Sequence, residues 1–141
     1  MTNRKLGRKR EHRQRTLRNL ATSIILYEQV TTTEAKAKAV GPFVEHLLTI
    51  AKAGTIAARR AVMAELFDMN ATRKMFEDIT TRMGTRTSGF VRITKIGPRP
   101  GDGAPMARLE LLLTSGEPTE AKVSVRRKKT AEVAESTEDK K

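Results

Sequence analysis

Residues 90–114, FVRITKIGPRPGDGAPMARLELLLT, decide the fold class of this chain. Residues 90–96 and 106–114 leave the helical period and predict two strands, and apolar and polar side chains alternate most clearly over residues 107–111. The glycine- and proline-rich stretch 97–105 between them predicts a hairpin loop, with Asp102 supporting a turn through its side chain. The second strand is expected to place its apolar residues on one face and its charged residues on the other: Ala107, Leu109, Leu111 and Leu113 against Arg108 and Glu110.

Upstream of these strands the apolar residues follow the helical period. A first helix is expected from about Arg8 or Arg10 to Leu26. Its apolar residues form one stripe, at Leu17, Leu20, Ala21 and Ile24. Continued towards the amino end, the stripe falls on Arg10 and Arg13, so this half has no apolar face and should project from the body. The β-branched span 29–31 predicts a further short strand.

The second helix is expected to begin in the threonine cluster, with Thr31 and Glu34 as a capping box, and to end at Gly54. The pair Gly41-Pro42 interrupts its apolar stripe. An interior proline loses a backbone hydrogen bond, so we expect a kink here or a fresh start with proline in the first turn.

Two further helices precede the strands. The third is predicted over residues 56–68 with Thr55 as its cap, and the fourth begins with Asn70 as cap and ends at Gly84. The residues expected to face inward are Val62, Met63, Leu66 and Phe67 in the third and Met75, Phe76, Ile79 and Met83 in the fourth. The predicted fold class is α+β, with helices packed on one face of a small three-stranded mixed sheet.

Positive charge is concentrated at the amino end. The chain carries 28 Lys and Arg against 16 Asp and Glu, for a net charge of +12, and residues 1–20 hold eight of the cations beside a single acid, Glu11. Burying unpaired cations in a protein core is too costly in desolvation, whereas phosphates neutralise them and release counterions. We therefore divide the chain into a basic RNA-binding arm (1–12), one α+β domain (13–116) and a low-complexity charged tail (117–141), which is expected to be disordered.

Composition excludes several classes of protein. The absence of cysteine rules out disulfides and thiolate metal sites and favours a reducing compartment, the cytoplasm. No apolar run approaches the roughly 20 residues of a membrane span, and no signal-peptide pattern follows the basic start, although a mitochondrial presequence would share its arginine-rich character. Only five aromatic residues are present, which does not support an extended base-stacking platform.

Three short motifs occur in order along the chain: Leu17-Arg18-Asn19-Leu20-Ala21, Ala35-Lys36-Ala37-Lys38, and Gly101-Asp102 followed by Ala104-Pro105-Met106-Ala107. With these motifs the chain resembles the family of the seventeenth protein of the bacterial large ribosomal subunit, from Asn3 to about Leu113. The resemblance implies a structural rRNA-binding protein with no cofactor and no catalytic chemistry, and with large-subunit protein thirty-two as a neighbour. Members usually carry basic residues where Gly41-Pro42 stand, which implies a weakened RNA contact at that point.

The candidate RNA-binding residues form three groups. The arm and first helix supply Arg4, Lys5, Arg8, Lys9, Arg10, His12, Arg13, Arg15, Arg18 and Asn19. On the second helix Lys36 and Lys38 lie about 200° apart, so one of them is expected to face RNA. The strand and hairpin supply Arg86, Arg92, Lys95 and Arg99. The expected partner is folded large-subunit (23S) rRNA, bound through its phosphates and its shape.

Two other functions compete with this interpretation. A DNA-binding regulator would place the first helix in the major groove and requires a symmetric dimer, for which no seam is evident. An RNA-modifying enzyme requires a cofactor or catalytic motif, and none is recognisable. His12 and His46 are far apart in sequence and lack the spacing of metal ligands, so no metal is expected. No small-molecule substrate is expected either, because the resemblance implies no catalytic chemistry.

Overall fold

The structure is a computed structural model and describes residues 4–113. The helices are α1 (Arg10–Tyr27), α2 (Glu34–Lys52), α3 (Ile56–Leu66), α4 (Met69–Lys74) and α5 (Thr80–Arg82), with a π-helical segment (Met75–Ile79) joining the last two. The strands are β1 (Gln29–Thr33), β2 (Val91–Pro98) and β3 (Pro105–Leu111). The predicted charged tail lies outside the described residues, as does position 114 at the end of the predicted second hairpin strand.

The three strands form one sheet in the order β1-β3-β2, and both pairings are antiparallel. The α+β prediction is confirmed, but its mixed sheet is wrong, because the short loop between β2 and β3 forces antiparallel pairing and β1 also runs opposite to β3. On the helix-facing side Leu109 of β3 lies between Val30 of β1 and Ile93 of β2. The opposite side of the sheet carries Arg92, Arg108 and Glu110.

The hydrophobic core fills the space between the sheet and the helices. Helix α2 is central to it, because it contacts α1, α3 and all three strands. The largest fully buried side chains come from every layer: Ile24, Ile25, Val40, Val44, Leu47, Leu48, Val62, Met75, Ile79, Met83, Phe90 and Leu109. This core fixes the direction in which α1 leaves the body.

Helix α2 begins later than the predicted capping box at Thr31 requires, and it continues through Pro42. Thr31 lies in β1, and the N-cap is Thr33, whose side chain makes no capping hydrogen bond. The helix runs for 19 residues through Pro42, so a fresh start at this proline is wrong. Gly41 explains the continuity, because without a Cβ it avoids much of the clash that proline imposes on the preceding helical residue.

Thr55 caps α3 as predicted, its Oγ1 accepting a hydrogen bond from the Ala58 amide at 3.1 Å. The helix ends at Leu66 rather than 68, because Phe67 adopts a left-handed conformation with φ of 57°. The cap of α4 is Asp68 rather than Asn70: Asp68 Oδ1 accepts from the Asn70 amide at 2.9 Å. Two residues expected to face inward are exposed instead, Met63 by 37% and Phe67 by 71%.

The π-helical segment was not predicted, and its physical origin is the spacing of the buried residues. These residues are four apart, at Ala71, Met75, Ile79 and Met83. In a regular α-helix each step of four rotates the side chain by about 40°, so the last would leave the core. The wider turn of a π-helix reduces this drift and keeps all four against α1 and α2.

Candidate nucleic-acid interface

Seven cations of residues 4–15 form the amino-terminal cation cluster: Arg4, Lys5, Arg8, Lys9, Arg10, Arg13 and Arg15. Within residues 4–113 none of them makes an ion pair, and five are exposed while Arg8 and Arg13 are half-buried. Glu11, the acid among them, is also exposed and unpaired within those residues. Helix α1 thus begins as a stretch of uncompensated positive charge, as the missing apolar face predicted.

A tight turn precedes this helix. The Arg8 amide donates to the Lys5 carbonyl at 3.1 Å, and the two central residues, Leu6 and Gly7, have φ of 53° and 62°. Arg8 folds back onto the turn, its Nη1 donating to the Leu6 carbonyl at 3.2 Å, while its buried Nε has no partner in the described structure. The turn therefore positions cations at the start of α1 before any ligand binds.

The amino end of α1 adds backbone donors to this charge. Its N-cap residue, Lys9, supplies no capping side chain, so the first-turn amides stay available. These amides and the helix dipole both favour an anion at this end of an 18-residue helix. His12 is exposed here, and it lies in the first two turns with the cations rather than beside any metal ligand.

The second half of α1 turns from solvent to the core. Leu17 and Leu20 are partly buried, and Ala21 and Ile24 are fully buried. Arg18 lies at this boundary and differs from the cluster, because its Nε and Nη2 both lie 3.0 Å from Glu65 Oε2. Asn19, the next residue of the helix, is exposed.

The two candidate RNA-binding lysines of α2, Lys36 and Lys38, occupy different environments. Lys38 is exposed and forms an ion pair with Glu34 one turn earlier. The pKa of the Glu34 carboxyl is lowered from its usual value, chiefly by this hydrogen bond with Lys38. Lys36 is half-buried and has no ion pair among the described residues, so of these two lysines it is the one whose charge stays available to a ligand.

The strand and hairpin cations do not lie on one surface. Arg92 is exposed on the outer face of the sheet, whereas Lys95, an odd number of residues later, lies on the helix-facing side and is 3.6 Å from Glu34. Arg86 donates to the Leu112 carbonyl at 3.2 Å and holds the end of the described chain. Of the four predicted residues here, Arg92 has no hydrogen bond or ion pair with residues 4–113.

Arg99 is paired within the hairpin loop itself. Its Nε donates to Asp102 Oδ1 at 3.0 Å, and the same carboxylate oxygen accepts from the Ala104 amide at 3.2 Å. The guanidinium lowers the pKa of the Asp102 carboxyl to about 2. Asp102 therefore supports the turn as a carboxylate, as predicted, and is not a poised general base.

A carboxylate between two cations anchors the carboxyl end of α1. Glu28 receives hydrogen bonds from Arg82 Nη1 at 2.9 Å and Nη2 at 3.0 Å, and Lys74 Nζ lies 2.9 Å from its Oε1. These contacts, the Arg82 hydrogen bonds first, lower the pKa of Glu28. Lys74 also donates to the Leu26 carbonyl at 2.8 Å. This ion cluster ties α1 to α4 and α5 and so helps to orient the amino-terminal cations.

Sequence reasoning missed two features of this surface. Arg108 pairs with Thr94, which lies two residues after Arg92 on β2, so Arg108 and Arg92 share the outer face of the sheet. The strand alternation predicts that Arg108 is exposed, but it does not predict which residues lie beside it. Phe67 was expected in the core. No local signal marks its exposure, because the left-handed turn at this residue depends on how α3 and α4 pack.

The described residues hold no constellation suited to catalysis. A cleft of about 400 Å³ lies between α1, α2 and α3 and is mainly apolar, with His46 and Glu65 at its margin. No group of three or more His, Asp or Glu side chains within residues 4–113 is arranged to hold a metal ion. No helix among these residues is long and apolar enough to cross a membrane.

Fold and surface together define a class: a small, strongly basic α+β protein whose exposed cations suit a polyanion. The family model described as Ribosomal protein L17 matches residues 16–112. The chain belongs to the ribosomal protein L17 family, whose members are structural, non-enzymatic components of the ribosome.

Curated relatives bear this out. The large ribosomal subunit protein bL17 of Caldanaerobacter subterraneus subsp. tengcongensis is 46% identical over 112 residues, covering 79% of this chain and 100% of that protein. The bL17 of Chlorobium phaeobacteroides is 42% identical over 130 residues, covering 92% and 78%. That of Pelodictyon phaeoclathratiforme is 42% identical over 142 residues, covering 94% and 93%. The last alignment covers 94% of this chain, which is more than the share of the chain that lies in residues 3–113. The similarity therefore extends into the charged tail, which the resemblance did not include.

Proposed function

We propose that this chain is a structural constituent of the large ribosomal subunit and binds folded 23S rRNA through its amino-terminal cation cluster. Membership of the L17 family, with relatives named as large-subunit proteins, supports the assignment to the subunit. The observation that carries the RNA contact is the set of seven cations in residues 4–15 with no ion pair in the described structure. Phosphates supply the missing anions, and counterion release drives the association.

The body of the protein gives the arm its direction in this proposal. The amino half of α1 has no apolar face, while its second half is buried against α2 and tied down by the Glu28 ion cluster. The arm (1–12) and first helical turns can therefore reach between RNA helices from a folded domain (13–116). The cations are mostly arginines, whose planar forks suit bidentate contacts with phosphate.

A second RNA contact is proposed for the strand and α2 residues. Arg92, on the outer sheet face, and Lys36, on α2, carry charges without protein partners among residues 4–113. The proposal also includes four cations at the edge of this contact that have protein partners: Lys38, Arg86, Lys95 and Arg99. Their exposed ion pairs and hydrogen bonds contribute little to stability, so these side chains can exchange their protein partners for phosphates at little cost. Arg18 and Asn19 extend the contact along α1. Base-specific readout is not required, because the contacts are with backbone and shape.

The proposal includes the location and neighbours of the chain. It places the protein in the cytoplasmic ribosome, and it keeps the low-complexity charged tail (117–141) distinct by composition from the α+β domain (13–116). Large-subunit protein thirty-two is the proposed protein neighbour, on the strength of the family resemblance. No cofactor or small-molecule substrate takes part.

Footprinting of the full chain on protein-free 23S rRNA tests this function. We expect protection of one defined region, and loss of that protection when residues 1–15 are removed. The truncated chain should keep its helical signal and cooperative melting, because none of the described residues 4–15 belongs to the buried core. Equal protection of duplex DNA, or unchanged rRNA protection by the truncated chain, would refute the proposal.

A further inference from the structure

Phe67 is an aromatic side chain held in solvent by the backbone. It is 71% exposed, and its φ of 57° is a left-handed conformation that residues with a Cβ adopt only at an energetic cost. The amide of Phe67 donates to the Met63 carbonyl at 3.2 Å, which closes α3 and fixes this geometry. The ring therefore lies outside the core because of the backbone conformation at Phe67, and not because the end of α3 is frayed.

One face of this ring is covered by Arg18. The guanidinium carbon lies 4.6 Å from the ring centroid, within the range of a cation–π contact. Glu65 holds the guanidinium from the side, with Arg18 Nε and Nη2 each 3.0 Å from its Oε2. Arg18 is thus a positioned planar group whose charge is already compensated, unlike the unpaired cations that precede it on α1.

The stack lies beside the amino-terminal cation cluster. Arg15 is one helical turn before Arg18 and shares its side of α1, and it is exposed and unpaired within the described residues. A strand of RNA whose phosphates contact that cation would pass close to the Phe67 ring. An exposed aromatic ring next to phosphate-binding cations is the arrangement by which proteins capture a splayed-out base.

We infer that Phe67 and Arg18 form a stacking site for one unpaired nucleobase of the RNA bound by the amino-terminal cation cluster. The inference rests on the proposed function and adds a contact that phosphate binding does not need. The base stacks on the aromatic face that Arg18 leaves open, and Arg18, held by Glu65, stabilises the stack from the other side. Stacking of this kind tolerates any base, because every base presents a π face.

A single tryptophan makes the contact visible, because the chain has none of its own. In the Phe67→Trp variant, titration with protein-free 23S rRNA should quench most of the indole emission by stacking. Tyr27→Trp is the matched control, since Tyr27 is 72% exposed and lies at the far end of α1. Its emission should change much less. Equal quenching of the two variants, or no quenching of Phe67→Trp, would overturn the inference.

Affinity supplies the second readout. Phe67→Leu keeps apolar bulk but removes the π face, so it should weaken rRNA binding roughly five- to a hundredfold, whereas Phe67→Tyr should bind as the natural chain does. Both variants should melt normally, because the ring is exposed. If the natural chain binds with steep salt dependence and Phe67→Leu binds equally well, the stacking site is refuted while the proposed function stands. If Phe67→Trp is quenched only when other ribosomal proteins are added, the ring contacts protein and the inference fails.

Discussion

Arg10 and Arg15 offer the sharpest test of phosphate binding, because both are exposed and neither has an ion pair among residues 4–113. Replacing both with glutamine removes two charges and leaves the core untouched. Each phosphate contact contributes about 0.7–0.9 to the slope of log K against log salt, so the double variant should lower that slope by about 1.4–1.8. If affinities converge near 1 M salt, this slope change corresponds to roughly 25- to 60-fold weaker binding at 0.1 M.

The control for this experiment removes the same charge elsewhere. Arg60 on α3 and Arg73 on α4 are exposed. Within residues 4–113 Arg60 has no ion pair, and Arg73 has a long one, with Glu77 at 3.8 Å. Arg60→Gln with Arg73→Gln also lowers the net charge by two from +12. Filter binding or fluorescence anisotropy over a salt series should show a nearly unchanged slope for this pair. Equal slopes for the two double variants would show that only net charge matters and would refute a localised phosphate site.

Three further predictions concern the body that orients α1. Glu28→Gln should lower the free energy of unfolding by about 1–2 kcal/mol at pH 7, because a half-exposed charge cluster is lost. The ion cluster lowers the pKa of Glu28 below its usual 4.5, so its contribution is present above pH 4.5 and is lost as the pH falls through the lowered pKa. The difference in free energy of unfolding between the variant and the natural chain should therefore shrink in urea titrations at progressively lower pH, and a constant difference would contradict this. Pro42→Ala should raise the free energy of unfolding by about 2 kcal/mol, measured by the urea midpoint, because it restores a hydrogen bond inside α2; a loss would show that the proline is accommodated without strain. Leu109→Ala should cost about 2–5 kcal/mol in thermal melts, because Leu109 is fully buried at the centre of the sheet, and a smaller loss would mean that the core collapses around the gap.

Much of the fold could be predicted because its signals are local. The stripe Leu17, Leu20, Ala21 and Ile24 locates the buried side of α1, and the alternation around Leu109 locates β3. Thr55 is the only nearby hydroxyl before an apolar helix, and it caps α3 as expected. N-cap predictions failed where several capping residues lie close together. The threonines at 31–33 are identical, and Asp68 and Asn70 both favour an N-cap; strand pairing and the preceding turn decided which residue begins each helix.

The candidate site divides in the same way. Charge density alone predicted the amino-terminal cluster, because residues 4–15 contain too few acids and apolar residues to pair or bury its cations. Pairing in space could not be predicted, since Arg18 meets Glu65 and Lys95 meets Glu34 across long sequence separations. These contacts distinguish compensated cations from free ones, which is the property that matters for binding phosphate.

The sequence by itself determined the α+β class, the positions of the helices and strands and the basic end, since periodicity and charge density are properties of neighbouring residues. Tertiary structure alone decided that Arg18 and Lys95 are paired with distant acids, and that Phe67 stands in solvent beside Arg18. Each of those outcomes depends on where two distant segments meet, because a side chain's partner is set by packing in three dimensions and not by its neighbours along the chain.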